Sequence, residues 1–292
     1  MVIDLRTHLI SLVAVFLALG IGILVGIDMI GGRAVISQER GMITRLQVDF
    51  HNLQTAETSL HSQLTRQSAQ LAVANQFAAG VVPYMVSGKL TGTVVAVVTT
   101  SARAGSAPVV SVLRQAGATL GPVVTLDPQP ATTSAVWAEA GAILNVPATP
   151  QAVYPALAKQ IGASFEAGSL APLTQLEALG LFRVSGALTS QVGGVVLIAG
   201  SVNASDPLAG LLGVPLVRIL KADRLPAVAG QWSTVPVQYS TIPLFQGLGV
   251  TTVDDLDLAS GQVATVWGLT GTVGNYGLLP TAQALMPISA TP

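Results

Sequence analysis

Residues 9–27 form a run of nineteen positions with no charge and a single polar side chain, Ser11. At ~1.5 Å of rise per residue, a helix of that length reaches roughly 29 Å, close to the ~30 Å hydrocarbon core of a bilayer. Backbone polar groups in lipid must pair within their own segment, so the run predicts one transmembrane helix. A cleaved signal peptide is the rival reading, but its apolar region spans about 7–15 residues and ends in a small-residue site. Here the run is longer, Asp4 and Arg6 precede it, and Asp28, Met29 and Ile30 follow it. An uncleaved anchor in the lipid bilayer is therefore expected. Charge leaves the orientation open. Arg6 lies before the span and Arg33, Arg40 and Arg45 after it, which by the positive-inside count favours a cytoplasmic C-terminal side. That count loses force when a large domain follows.

Within the span, Ala14, Ala18, Gly22 and Gly26 recur every four residues on one helix face. Small side chains let two helices approach closely, and Gly22 with Gly26 makes a GxxxG element. A heptad pattern follows over residues 36–78. Its a positions are Ile36, Ile43, Phe50, Glu57, Leu64, Leu71 and Ala78, and its d positions are Glu39, Leu46, Leu53, Leu60, Gln67 and Ala74. Ten of these thirteen are apolar, and the stretch holds no proline, which predicts a coiled coil. Glu57 and Gln67 weaken such a seam but can fix its register. A single amphipathic helix lying on its own domain is the alternative. The preferred reading is a self-associating stem, a homodimer, continuous with the small-residue face of the span. His51 and His61 lie ten residues apart on this helix, too far to share an ion within one chain.

The helical pattern stops around residues 79–83, and residues 81–292 are rich in Ala, Val, Gly, Thr and Pro. The chain thus divides into a tail and anchor (1–34), a coiled coil (35–80) and a domain (81–292). The domain carries 17 charged side chains in 212 positions, too sparse for a nucleic-acid surface. Cysteine is absent, so no disulfide framework or thiol chemistry is available. The order of elements predicts α/β: a mainly parallel-sheet, Rossmann-like domain. Apolar runs at 93–99, 123–126, 195–199, 225–229 and 251–253 read as strands. Segments 108–116, 153–161, 172–179 and 258–269, together with material up to residue 222, read as helices. Runs this apolar fit a sheet covered on both faces.

In such sheets ligands bind beyond the carboxyl ends of the strands. Ser101 and Arg103 occupy that place after the first strand and could hold an anion. No G-x-G-x-x-G or P-loop follows, so an ordinary strand-to-helix loop is the simpler reading. Asp254, Asp255 and Asp257 form the one dense carboxylate cluster. They could coordinate a hard cation, but a turn plus N-cap ahead of a helix is simpler. The last histidine is His61, so the domain cannot build a Ser–His–Asp or His-metal site. No enzyme activity and no cofactor are expected.

Two segments carry a resemblance. HLISLVAVFLALGIG at 8–22, and TTVDDLD at 251–257 continued by GQVATV at 261–266 and GNYG at 274–277, resemble the mycobacterial copper transport protein B (MctB) family. The resemblance implies an envelope protein with an N-terminal anchor, an exported coiled coil and α/β domain, and a role in copper homeostasis. It also implies a cytoplasmic N-terminus, with the domain outside. Some members of the family are linked instead to cell separation through envelope partners. Copper(I) prefers sulfur ligands and copper(II) imidazole. Past the stem this chain offers only Met85 and Met286. Copper handling is therefore expected to be indirect, or to need partners or an oligomeric helix bundle.

Overall fold

The computed structural model describes residues 5–29, 32–100, 105–126 and 133–287. Two units emerge, Met1–Leu71 and Ala72–Pro292.

The first unit is helical. Helix α1 spans Leu5–Met29. Its stretch His8–Gly26 is the one described helix with the length and apolarity to cross a membrane, and its side chains are exposed along that length. Helix α2, Gly32–Val86, runs unbroken through the heptad region. Its polar face satisfies itself: the hydroxyls of Thr55, Thr58 and Thr65 donate to the carbonyls of His51, Gln54 and His61, at 2.8–2.9 Å. Arg66 Nε donates to the Ser62 carbonyl at 3.2 Å. All of these donors lie on the face opposite the a and d positions.

In the second unit α2 continues past the point where composition predicts its end. Pro83 sits inside the helix, where it removes one donor and crowds the preceding turn. Val82 and Val86 on either side of it are buried, and that burial offsets the lost hydrogen bond. The domain is built on seven strands: β1 Val94–Thr99, β2 Thr119–Leu126, β3 Phe182–Ser185, β4 Gly194–Ile198, β5 Ala227–Gly230, β6 Thr251–Val253 and β7 Asn275–Tyr276. They lie in the order β3-β2-β1-β4-β5-β6-β7. Every pairing is parallel except β2 with β3.

Alternation along the strands feeds two cores. On β1, Ala96 and Val98 enter one and Val95 and Val97 the other. On β4, Val195 and Leu197 oppose Val196 and Ile198. The first core is closed by α4 Ser134–Leu144, α5 Pro150–Ala167, α6 Thr174–Ala178, α7 Val214–Ala222 and α8 Ile242–Phe245. The second is closed by the end of α2, α3 Ala107–Gln115 and α9 Ala259–Leu269. The α/β expectation of a mostly parallel sheet with both faces covered holds. Elements absent from the sequence reading are α4, α8, β3 and β7. The two strands are four and two residues long, too short for a periodicity signal. β3 is an edge strand, and its Val184 amide is taken up by Glu177 Oε1 at 2.7 Å.

Candidate functional site

The strand order reverses between β1 and β4, and the carboxyl ends of these strands frame the crevice where doubly wound sheets hold ligands. A side chain of the protein fills that place. Asp206 follows β4 and is buried. Its Oδ2 accepts the Thr100 hydroxyl and the Gly200 amide, the latter at 2.8 Å. Its Oδ1 accepts the amides of Leu208 and Ala209 at 3.1 and 3.2 Å, where the helical path toward α7 begins. Those two amides are the donors a phosphate would use, and the carboxylate already occupies them. Ser101 and Arg103 lie outside the described residues. Asp206 was missed in the sequence reading, although Asp206-Pro207 ahead of a helical stretch is a cap-then-Pro signature that could have found it.

The next strands repeat the arrangement. After β5, the buried Gln231 Oε1 accepts the Thr241 amide at 2.9 Å and the Ser240 hydroxyl at 3.1 Å, which folds the following loop back over the sheet. After β6 come Asp254, Asp255 and Asp257, and they diverge. Asp254 holds the turn after β7, accepting the Leu278 amide at 2.6 Å and the Leu279 amide at 3.0 Å. The same carboxylate lies against Gly277, whose φ is +130° and where a Cβ would collide with it. Asp257 reaches back to the loop after β5, accepting the amide and the hydroxyl of Ser233, both at 2.7 Å. Asp255 takes a single side-chain donor, the Ser260 hydroxyl on Oδ2 at 2.5 Å, while its buried Oδ1 has no partner in hydrogen-bonding geometry. None of the three caps α9, whose N-cap residue is Leu258. The N-cap expectation is thus replaced by a set of tertiary staples, because strand ends and loops far apart in sequence converge here. Among the described residues no three His, Cys, Asp or Glu side chains gather to hold a metal ion.

Asp255 stands out electrostatically. Burial pushes its carboxyl up to about 6, helped by the charges of Asp254 and Asp257 and opposed by the Ser260 hydrogen bond. Elsewhere in the second core, the indole nitrogens of Trp232 and Trp267 are buried without a partner.

At the opposite edge of the sheet a cleft of about 240 Å³ is lined by Lys221, Arg224, Gly249, Thr251, Gly268 and Val273. Lys221 Nζ donates to the Gly249 carbonyl at 2.7 Å. Both cations sit at the C-terminal end of α7, where they offset the helix dipole.

The second predicted site is the stem. Leu46, Phe50, Leu53, Leu60, Leu64 and Leu71 all lie on α2 and are exposed; Leu53 is 69% and Phe50 70% accessible. Ile36 and Ile43 are on the same helix, with side chains outside the described part. In α1, Ala14, Ala18 and Gly22 are exposed, and nothing stands within 4 Å of where a Cβ would project from Gly22 or Gly26.

The sequence model of a family described as copper transport outer membrane protein, MctB, matches residues 2–287. No curated protein matches the chain.

Proposed function

Because the chain belongs to the MctB family, we propose that it is a single-pass envelope protein that serves copper homeostasis indirectly, as a paired stem carrying a Rossmann-like domain. The family supplies the link to copper transport and the envelope. The observation that carries the indirect role is the ligand inventory: the domain holds neither cysteine nor histidine, and its methionines are Met85 and Met286. Two thioethers make a weak copper(I) site and almost none for copper(II). A single apolar helix encloses no pore, and the described sheet is open and buried on both faces, unlike a membrane barrel. The filled crevice at Asp206 favours a domain without catalysis. In this reading the N-terminus is cytoplasmic and the domain lies outside.

The exposed seam favours a scaffold role beside it. An apolar stripe of this length on a helix that satisfies its own polar face fits a second copy or an envelope partner's helix. Deletion of the protein tests the two readings. Copper-sensitive growth with normal cell separation supports the copper role; separation defects without copper sensitivity support the scaffold.

A further inference from the structure

Arg224 is the last base in the chain, and over residues 225–292 the only charged side chains are Asp254, Asp255 and Asp257. Two of them are satisfied where they stand. Asp254 binds two amides and Asp257 binds both donors of Ser233. Asp255 is not: it is fully buried, one oxygen takes a single hydroxyl, and the other has no partner in hydrogen-bonding geometry. Nor is there room beside it, since a Cβ at Gly261 would collide with both the Asp255 carbonyl and Oδ1.

Among the described residues, none brings a counter-charge onto Asp255. β5 and its loop bring Gln231 and Tyr239, β7 brings Tyr276, and α8 and α9 bring no titratable group; the cations packed against α9 are Arg114 in the last turn of α3 and Lys89, which stacks on Trp267 at the far end of α9. The charges that act on Asp255 are those of Asp254 and Asp257, both of the same sign. An ionised carboxylate so placed lacks hydration on Oδ1 and is repelled from two sides. Water reaches Oδ1 only if the turn at 254–257 lifts from α9. That turn also carries the two carboxylates that tie down the loop at 233 and the turn at 278–279.

We propose that Asp255 is a proton-operated clasp on the carboxyl edge of the sheet: protonated, it lets the 254–257 turn seat on α9, and ionised, it lifts the turn and releases the two loops that Asp254 and Asp257 hold. Burial sets the working range, because it moves the Asp255 carboxyl up to about 6. The clasp is closed in mildly acidic surroundings and open in neutral ones. Its function does not depend on whether the stem pairs or copper is bound.

Amide hydrogen exchange on the full-length protein in detergent micelles, at about pH 5 and about pH 8 and corrected for intrinsic rates, tests this directly. The amides of Ser233, Leu278 and Leu279 should be at least ~tenfold better protected at the lower pH, a larger change than at Val97 and Leu197 in the sheet centre. Asp255→Asn should hold the three loop amides protected at both values. Ser260→Ala, which removes the side-chain donor that favours the charged form, should move the opening midpoint to higher pH. Equal loop protection at the two pH values overturns the clasp, as does a pH response that survives Asp255→Asn. A parallel loss of protection at Val97 and Leu197 also overturns it, since that marks global unfolding. So does a midpoint that stays or falls in Ser260→Ala, which keeps the test decisive if the asparagine variant does not fold.

Discussion

At the scale of single residues, the carboxyl edge works by matching each buried acceptor to loop donors. Asp206 is the most heavily used, taking one hydroxyl and three amides. Asp206→Ala strands all four donors in a buried place and should lower stability by about 3 kcal/mol, read from urea denaturation. Gly261→Ala drives a methyl into the Asp255 carbonyl and should cost about 1–3 kcal/mol in the same measurement. Asp255 gives a pH signature of defined sign. Its folded value is raised from 3.8 to about 6, so the folded state holds the proton more tightly than the unfolded chain. The stability this contributes is fully present below the unfolded value and is lost as pH rises through the folded one. Compared with Asp255→Asn, wild type should be of similar stability near about pH 4 and weaker by at most ~3 kcal/mol above about pH 6. Parallel denaturation curves for the two proteins across this range would contradict the assignment.

Among the elements, α2 shows most plainly how one helix serves two purposes. Its Thr and Ser hydroxyls turn inward on their own carbonyls, so the polar face requires no partner. The apolar face keeps Leu53, Leu60, Leu64 and Leu71 in the open, each a side chain whose burial stabilises by about 1.5–3 kcal/mol. Replacing Leu53 and Leu60 by Asp should convert a dimer to a monomer in detergent, with light scattering as the measurement; an unchanged mass would sink self-association. Glu57 at a seam position faces its own copy in a parallel pair. Glu57→Leu should therefore slow dissociation on dilution, by about 1–2 kcal/mol in free energy.

For the whole molecule the testable property is what the domain does not hold. With no cysteine and the histidines confined to positions 8, 51 and 61, the full-length protein should surrender copper to a chelator of about micromolar affinity. Stoichiometric retention would restore direct metal handling as the leading function. Reporters fused after Met1 and after Pro292 should fall on opposite sides of the membrane, with the first in the cytoplasm. The opposite labelling would reverse the topology that the family implies and make the charge count the better guide.

Residues 9–27, the heptads and the apolar strand runs are periodic over many residues. Local pattern therefore sufficed to read the apolar span, the long helix and the mostly parallel α/β character, as well as the family. The end of α2 was misread because Pro83 is a local breaker whose cost is offset by tertiary burial of Val82 and Val86. β3 and β7 had no signal of their own, since a strand of a few residues exists through its neighbour's hydrogen bonds. The cluster at 254–257 was visible in the sequence, but its role was not. Adjacent carboxylates look alike on paper, and only the fold decides that Asp254 meets residues 278–279, Asp257 meets residue 233, and Asp255 meets a single hydroxyl. Asp206 and Gln231 escaped notice for the same reason: the groups they satisfy come together only when the strands align at one edge. Long-range hydrogen bonding, which no period in the chain encodes, determined the site.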